Sequence, residues 1–145
     1  MKIAIASDHA GYKLKSFLVK ILQKDNLECI DLGCENTESV DYPDYARKVV
    51  ELIKNNGVDF GILVCSSGIG MSIMANKFSD VRAALCYDAE SAKSAREHNN
   101  ANIICLASKV CDNKIAAEII HAFIKNKFSN EIRHIRRLKK IEENI

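Results

Sequence analysis

Phe60-Gly61-Ile62-Leu63-Val64-Cys65, followed at once by Ser66-Ser67-Gly68-Ile69-Gly70, carries no charge and no polar alternation until it reaches the glycine-rich turn. A strand buried on both faces reads this way, as an inner strand of a parallel sheet does. Working towards the amino terminus, Ala46, Val49, Val50 and Ile53 recur at helical spacing and stop at Asn56-Gly57, a helix-ending pair. Before them Leu27–Leu32 reads as a strand ending at Gly33, Leu14, Phe17, Leu18, Ile21 and Leu22 mark one helical face, and Lys2–Ala6 is a strand. In the other direction, Met71–Lys77 begins a short helix and Arg82–Tyr87 reads as a strand. Asp88 caps a helix running towards His98, and Asn102–Ala107 is a fifth strand. Ala116, Ile119, Ile120, Phe123 and Ile124 follow with a helical period, and Ser129 or Asn130 is placed to cap a last helix to about Glu143. Strands alternating with helices in this way predict an α/β fold, a parallel sheet covered by helices on both faces.

The chain has 145 residues, one domain's worth, and nothing resembling a linker, repeat or low-complexity segment interrupts it. A single domain over 1–145 is expected. Hydrophobic residues at 48% and charged residues at 28% are the balance of a globular protein with an ordinary core. Apolar runs such as Phe60–Cys65 are too short to span a bilayer, and the short apolar run after Met1-Lys2 ends at Ser7-Asp8-His9 without a secretory pattern. A cytoplasmic location, with no membrane partner, is expected. A net charge of +2 is too balanced to imply nucleic acid. The positive charge is concentrated, however: from Lys125 onward seven Lys/Arg face three acids. Such a segment either meets an anionic partner or is a solvated helix face. The six cysteines include no C-x-x-C pair and no zinc spacing. They are expected to be reduced, with at most one doing chemistry and no metal bound.

In open parallel sheets, ligands bind at the carboxyl ends of the strands. Three segments are candidates on that rule: Ser7-Asp8-His9-Ala10-Gly11, Cys65–Gly70, and His98-Asn99-Asn100 ahead of the fifth strand. The longest loop, Gly33–Asp44, holds the single proline, Pro43, and loops of that length are often functional. The Ser66-Ser67-Gly68-Ile69-Gly70 turn feeds a helix, so its backbone N–H groups favour an anion. It is not a Walker loop, since no Gly-Lys-Ser/Thr follows, nor the dinucleotide G-x-G-x-x-G. A C-x5-R phosphatase loop is also excluded, because Met71 stands where the Arg would be. Cys65 at the start of this turn is either a thiolate nucleophile or base, or a buried strand-end cysteine. Cys86 and Cys105 read as core. His9 and His98 are each a proton carrier or a surface histidine, His121 reads as structural, and Asp8 is a possible helix cap. Arg133 and Arg137, four apart, share a helix face and can fork a phosphate, or else form a solvated face.

Seven segments in this order carry a resemblance that none carries alone: Ser-Asp-His-Ala-Gly (7–11), Asp-Tyr-Pro (41–43), Cys-Ser-Ser-Gly-Ile-Gly (65–70), Ala-Asn-Lys (75–77), Arg-Ala (82–83), His-Asn-Asn-Ala-Asn (98–102) and Arg-His-x-x-Arg (133–137). Over essentially its whole length the chain resembles the type B ribose-5-phosphate isomerases. The isomerases of allose 6-phosphate and galactose 6-phosphate share much of the set. The resemblance implies a three-layer α/β/α sandwich with five parallel strands in the order 2-1-3-5-4 and a C-terminal helix. It implies no metal or cofactor, and a homodimer or tetramer whose active sites are shared between subunits. The implied reaction interconverts ribose 5-phosphate and ribulose 5-phosphate through an enediolate, in the non-oxidative pentose phosphate pathway. Cys65 is then the base that moves the proton between C2 and C1, His98 opens the furanose ring, and Ser67 binds the reacting oxygens. The amides of Ser66, Ser67, Gly68, Ile69 and Gly70 stabilise the enediolate. Asp8, His9 and Asn99 bind the sugar, and Arg133 and Arg137 hold the phosphate. Lys109 stands where the family often has Arg, and can neutralise a phosphate without forking it. One branch of the family replaces the cysteine and uses a Glu just past the Gly-x-Gly; Met71 is at that place here, which puts this chain in the cysteine branch. The alternatives are a hexose 6-phosphate isomerase and a catalytically silent sugar-phosphate-binding module.

Overall fold

The computed structural model describes residues 1–143; residues 144–145, the end of the expected 1–145 domain, lie outside the described residues. Strands β1 (Lys2–Ser7), β2 (Glu28–Asp31), β3 (Phe60–Cys65), β4 (Ala83–Leu85) and β5 (Ile103–Ala107) alternate with α1 (Tyr12–Lys24), α2 (Tyr42–Lys54), α3 (Ile69–Ala75), α4 (Ala89–Asn99) and α5 (Asn113–Lys125), and α6 (Ile132–Glu142) follows. The strands form one sheet in the order β2-β1-β3-β5-β4, and every pairing is parallel. This is the order that the resemblance implies.

The period-two alternation of the strands explains the layers. Ile3, Ile5, Ile62, Val64, Ile104 and Leu106 point to one face and pack on α1, α4 and α5 through Leu18, Ala92, Ile119 and Phe123. Ala4, Ala6, Leu63, Cys65, Ile103 and Cys105 point to the other and pack on α2 and α3 through Val49, Val50, Met71 and Ala75. Each fully buried Leu or Ile contributes about 1.5–3 kcal/mol. The α2 side is lined by small residues, so this helix lies close: a Cβ at Gly61 would come 2.6 Å from Val49 Cγ1. Cys65 belongs to this tighter face.

The chain winds outward from β1 to β2, then returns to lay β3 on β1's other side. The carboxyl ends of β1 and β3 therefore diverge at a topological switch, where open sheets bind ligands. Gly11 shows how closely the two loops approach there. A Cβ on it would sit 2.4 Å from the carbonyl oxygen of Val64, so the glycine serves the junction of β1 and β3.

Five local expectations are corrected. Pro43 is not in the long loop: it lies in the first turn of α2, where its missing N–H costs nothing. The fourth strand is only Ala83–Leu85 and the second only Glu28–Asp31, both at sheet edges where pairing on one side is lost. Glu131, not Ser129 or Asn130, is the N-cap residue of α6. Asp8 does not cap α1, whose N-cap is Gly11. Asp88 does cap α4, with the reciprocal bonds of a capping box through Ser91. His121, expected to be structural, is exposed and ties α5 to the end of α1 through Asp25, Nε2 to Oδ2 at 2.7 Å.

Candidate active site

Three loops meet at the carboxyl edge of the sheet. The backbone N–H of Asp8 donates to Val64 O at 3.2 Å, that of Ser108 to Cys65 O at 2.9 Å, and that of Lys109 to Ser66 O at 3.1 Å. Ser108 Oγ donates to Ala10 O at 3.0 Å. The turns after β1, β3 and β5 are thus one cross-linked unit, and Asp8, His9, the 66–70 turn and Lys109 are brought together as the sequence suggested. Asp8 is 7% exposed, and its Oδ1 accepts the Gly11 N–H at 2.9 Å. Oδ2 takes no hydrogen bond from the described residues and is open to a hydroxyl donor. His9 Nδ1 accepts the Val40 N–H at 3.2 Å. The neutral ring therefore carries its proton on Nε2, a donor for a ligand oxygen. That bond, with the Ser7–Gly33 and Cys34–Ser7 backbone bonds, fastens both ends of the 33–40 segment to the site. A pocket of about 910 Å³ lies beside it, lined among others by Lys15, Asp31, Val40 and Tyr45.

Cys65 is 5% exposed at the end of β3. The N–H of Gly68 donates to its Sγ at 3.0 Å, a backbone donor aimed at the sulfur. The turn can close this way because Gly68 takes a left-handed conformation, φ +73°, with Leu85 and Leu106 packed where a Cβ would be. The expectation that all five amides face a substrate is modified. Gly68 N–H is given to Cys65, and Ile69 N–H to Ser67 Oγ at 3.3 Å. The amides of Ser66 and Ser67 donate to nothing among the described residues. Ser67 Oγ, as an acceptor from Ile69, keeps its own proton to donate. Sequence reading gave Tyr42 no role, yet a Cβ at Gly70 would fall 2.7 Å from its ring. The Asp-Tyr-Pro motif was the available signal. Met71 is fully buried in the α2–α3 face, so an apolar side chain fills that position.

The other expected residues are elsewhere. His98 and Asn99 end α4, just before β5 begins at Ile103. Cys65 is level with Ala107 at the far end of β5. A five-residue strand spans about 16 Å, so His98 and Asn99 lie at the amino-terminal edge of the sheet, opposite Cys65. The expectation that they join the carboxyl-end cluster is overturned for the single chain. A helix that precedes a parallel strand must deliver the chain to that strand's start. Arg133 and Arg137 on α6 are exposed, and α6 packs near α4 on this same edge. Arg133 Nε pairs with Glu131 Oε2 at 2.8 Å. Between the two arginines, His134 is buried and its ring lies 4.6 Å from that of His98. The chain therefore carries two half-clusters: an acid–base group with amides, and a basic group with His98.

All six cysteines are free. Burial pushes the thiols of Cys29 and Cys86 up to about 11 and also raises Cys105 and Cys111, so these four stay protonated at neutral pH. Burial lowers His134 below the usual histidine value; His98, Arg133 and Arg137 add to this, and Glu131 opposes it. The folded chain then binds this proton less readily than the unfolded chain. The associated stability is complete above the free-histidine value of about 6.5 and is lost as pH falls through it towards the lowered one. Melting temperatures measured from pH 7.5 to 5 should decline, and His134→Phe should flatten the decline. A wild-type profile that stays level over that range would contradict this account.

A parallel α/β/α sandwich with a cysteine and a glycine-rich turn at its switch point, and an exposed arginine pair on its last helix, is the arrangement of the sugar-phosphate isomerases of the α/β kind. Among them, the chain belongs to the Ribose/Galactose Isomerase family, which matches residues 3–141. A ribose 5-phosphate isomerase from Thermotoga maritima superimposes with a TM-score of 0.96 at 48% identity, over 98% of this chain and 97% of that one. Ribose-5-phosphate isomerase B of Clostridium thermocellum gives a TM-score of 0.97 at 44% identity, over 99% and 97%. Ribose-5-phosphate isomerase B of Escherichia coli is 38% identical over 140 residues, 97% of this chain and 93% of its own. A Rickettsia bellii protein, 51% identical over 97% of this chain and 96% of its own, bears only a provisional name as a sugar phosphate isomerase. Among the described residues, no helix is long and apolar enough to cross a membrane.

Proposed function

We propose that this sugar-phosphate isomerase interconverts ribose 5-phosphate and ribulose 5-phosphate through an enediolate. The observation that carries this reading is the Gly68 N–H held 3.0 Å from Cys65 Sγ at the end of the central strand. A thiolate so supported is a base in a dry, amide-lined turn. With the ring opened by His98, Cys65 removes the proton from C2. The electron pair forms the C1–C2 double bond, and the carbonyl electrons move to O1. The Ser66 and Ser67 amides and the Ser67 hydroxyl stabilise that negative charge, preorganised where it develops. The thiol returns its proton to C1, while the hydroxyl proton of O2 passes to O1 beside Ser67 and leaves a carbonyl at C2. No redox partner is needed. Asp8, His9 and Asn99 hold sugar oxygens, Arg133 and Arg137 hold the phosphate, and Lys109 adds positive charge.

Since His98, Asn99 and the arginines stand a strand's length from Cys65, the reading requires that a second copy of the chain complete each site. Ile69 and Ile73, 50% and 57% exposed on α3 beside the turn, are suited to such a contact. The location proposed is the cytoplasm, where the phosphorylated sugar is found.

Turnover of ribose 5-phosphate and allose 6-phosphate, measured side by side with the purified chain, tests the function. Discrimination by pocket size is on the order of 10- to 200-fold per added carbon, and kcat/KM should favour the pentose by at least about tenfold. Preference for the hexose would move the substrate to six carbons with the mechanism unchanged. Inactivity on both would overturn the catalytic reading in favour of a silent binder.

A further inference from the structure

His98 is exposed and makes no hydrogen bond to the described residues. Its ring lies against that of His134, with centroids 4.6 Å apart and planes 46° apart. His134 is itself well fixed. It is 3% exposed, and its Nδ1 lies 2.8 Å from Ser129 Oγ. Ser129 Oγ also accepts the Glu131 N–H at 3.3 Å, and the Ser129 N–H donates to Glu97 O at 3.0 Å. The connections close a circuit: Glu97, adjacent to His98 on α4, holds Ser129, Ser129 holds His134, and His134 supports His98. Ser129, though not the N-cap residue of α6, thus joins α4 to the start of α6.

We propose that His134 is a positioning residue for the ring-opening step, a rigid seat anchored through Ser129 that keeps the otherwise unrestrained His98 imidazole in its working orientation. This rests on the reading of His98 given under Proposed function. Side chains that must act on a bound substrate need restraint, because a misplacement of about 1 Å can cost on the order of 100-fold in rate. His134 does not touch the substrate in this proposal. Its Nδ1 meets the Ser129 anchor, and its ring lies tilted against that of His98. The anchor explains why a polar residue is buried there at all, since an unbonded imidazole in that place would be costly.

Three variants separate seat from scaffold. Ser129→Ala removes the anchor, His134→Phe keeps a flat ring without it, and His134→Ala removes the seat. Histidine-labelled protein gives the ring resonances of His98, assigned with a His98→Asn control. In Ser129→Ala and His134→Ala these signals should move towards free-histidine positions. With ribose 5-phosphate, kcat should drop about 10- to 100-fold in His134→Ala, with KM changed less than about threefold because the arginines remain. His134→Phe should fall between the extremes. If His134 only supports the fold, melting temperature drops while kcat per folded molecule and the His98 resonances keep their wild-type values, and the proposal is overturned. If the wild type fails to isomerise ribose 5-phosphate, the functional reading fails separately, and unmoved His98 resonances in both Ser129→Ala and His134→Ala would still overturn the seat.

Discussion

A Cys65→Ala variant should fold, bind ribose 5-phosphate and turn it over about 10³-fold more slowly than the wild type, the loss typical of removing a positioned base. That is about 4 kcal/mol of transition-state stabilisation. The Gly68 N–H lies 3.0 Å from the sulfur. The proposed base is a cysteine with such a donor. Cys65 projects into the α2–α3 core, so removing Sγ also costs about 1 kcal/mol of stability. This is small enough to be separated from catalysis by measuring melting and turnover on the same sample. Cys65→Ser keeps the shape but offers a hydroxyl too weakly acidic to replace the thiolate, and should be nearly as slow. Wild-type turnover by the alanine variant would remove Cys65 from the mechanism.

The second large effect comes from mixing variants. Cys65→Ala and His98→Ala should each be nearly inactive alone. If each site draws Cys65 from one subunit and His98 from its partner, a mixture refolded together regains activity. Random pairing into dimers gives half mixed dimers with one intact site each, about a quarter of wild-type activity. The physical basis is the parallel topology. Cys65 is level with Ala107 at the end of β5, while α4 must deliver the chain to the start of that strand. No local rearrangement brings the two together without unthreading the sheet. Restoration on co-refolding, measured against each variant alone, is the expected result. Activity of the mixture equal to the sum of its parts would mean that each site is built within one chain, and would return the His98 assignment to question.

These two predictions draw on different levels of the protein. The alternation of the strands, the burial of Phe60–Cys65 and the spacing of Leu14, Leu18 and Leu22 are local properties, and the layers followed from them. Asp88 capped α4 as expected because an N-cap is decided by a few neighbouring atoms. The turn at 65–70 was legible as an anion site, since glycine spacing reports backbone geometry directly. Edge strands were overestimated because β2 and β4 pair on one side only, and residues such as Tyr87 and Leu27 have the right propensity without a partner. Pro43 looked like loop chemistry, but proline suits a helix's first turn equally well. Several residues of the quoted motifs are structural. Both Asn76 and Asn102 spend their side chains on bonds that tie down the backbone around β4.

The layered α/β architecture, the glycine-rich turn after Cys65 and the basic character of the last helix are readable from the chain alone, because periodicity, turn chemistry and charge are written within a few residues. Packing in three dimensions sets which end of the sheet each candidate occupies, that Gly68 gives its amide to Cys65, and that the ring of His134 lies against His98. Those relations join residues far apart in the chain, and they arise from how parallel strands and their crossover helices are packed in space.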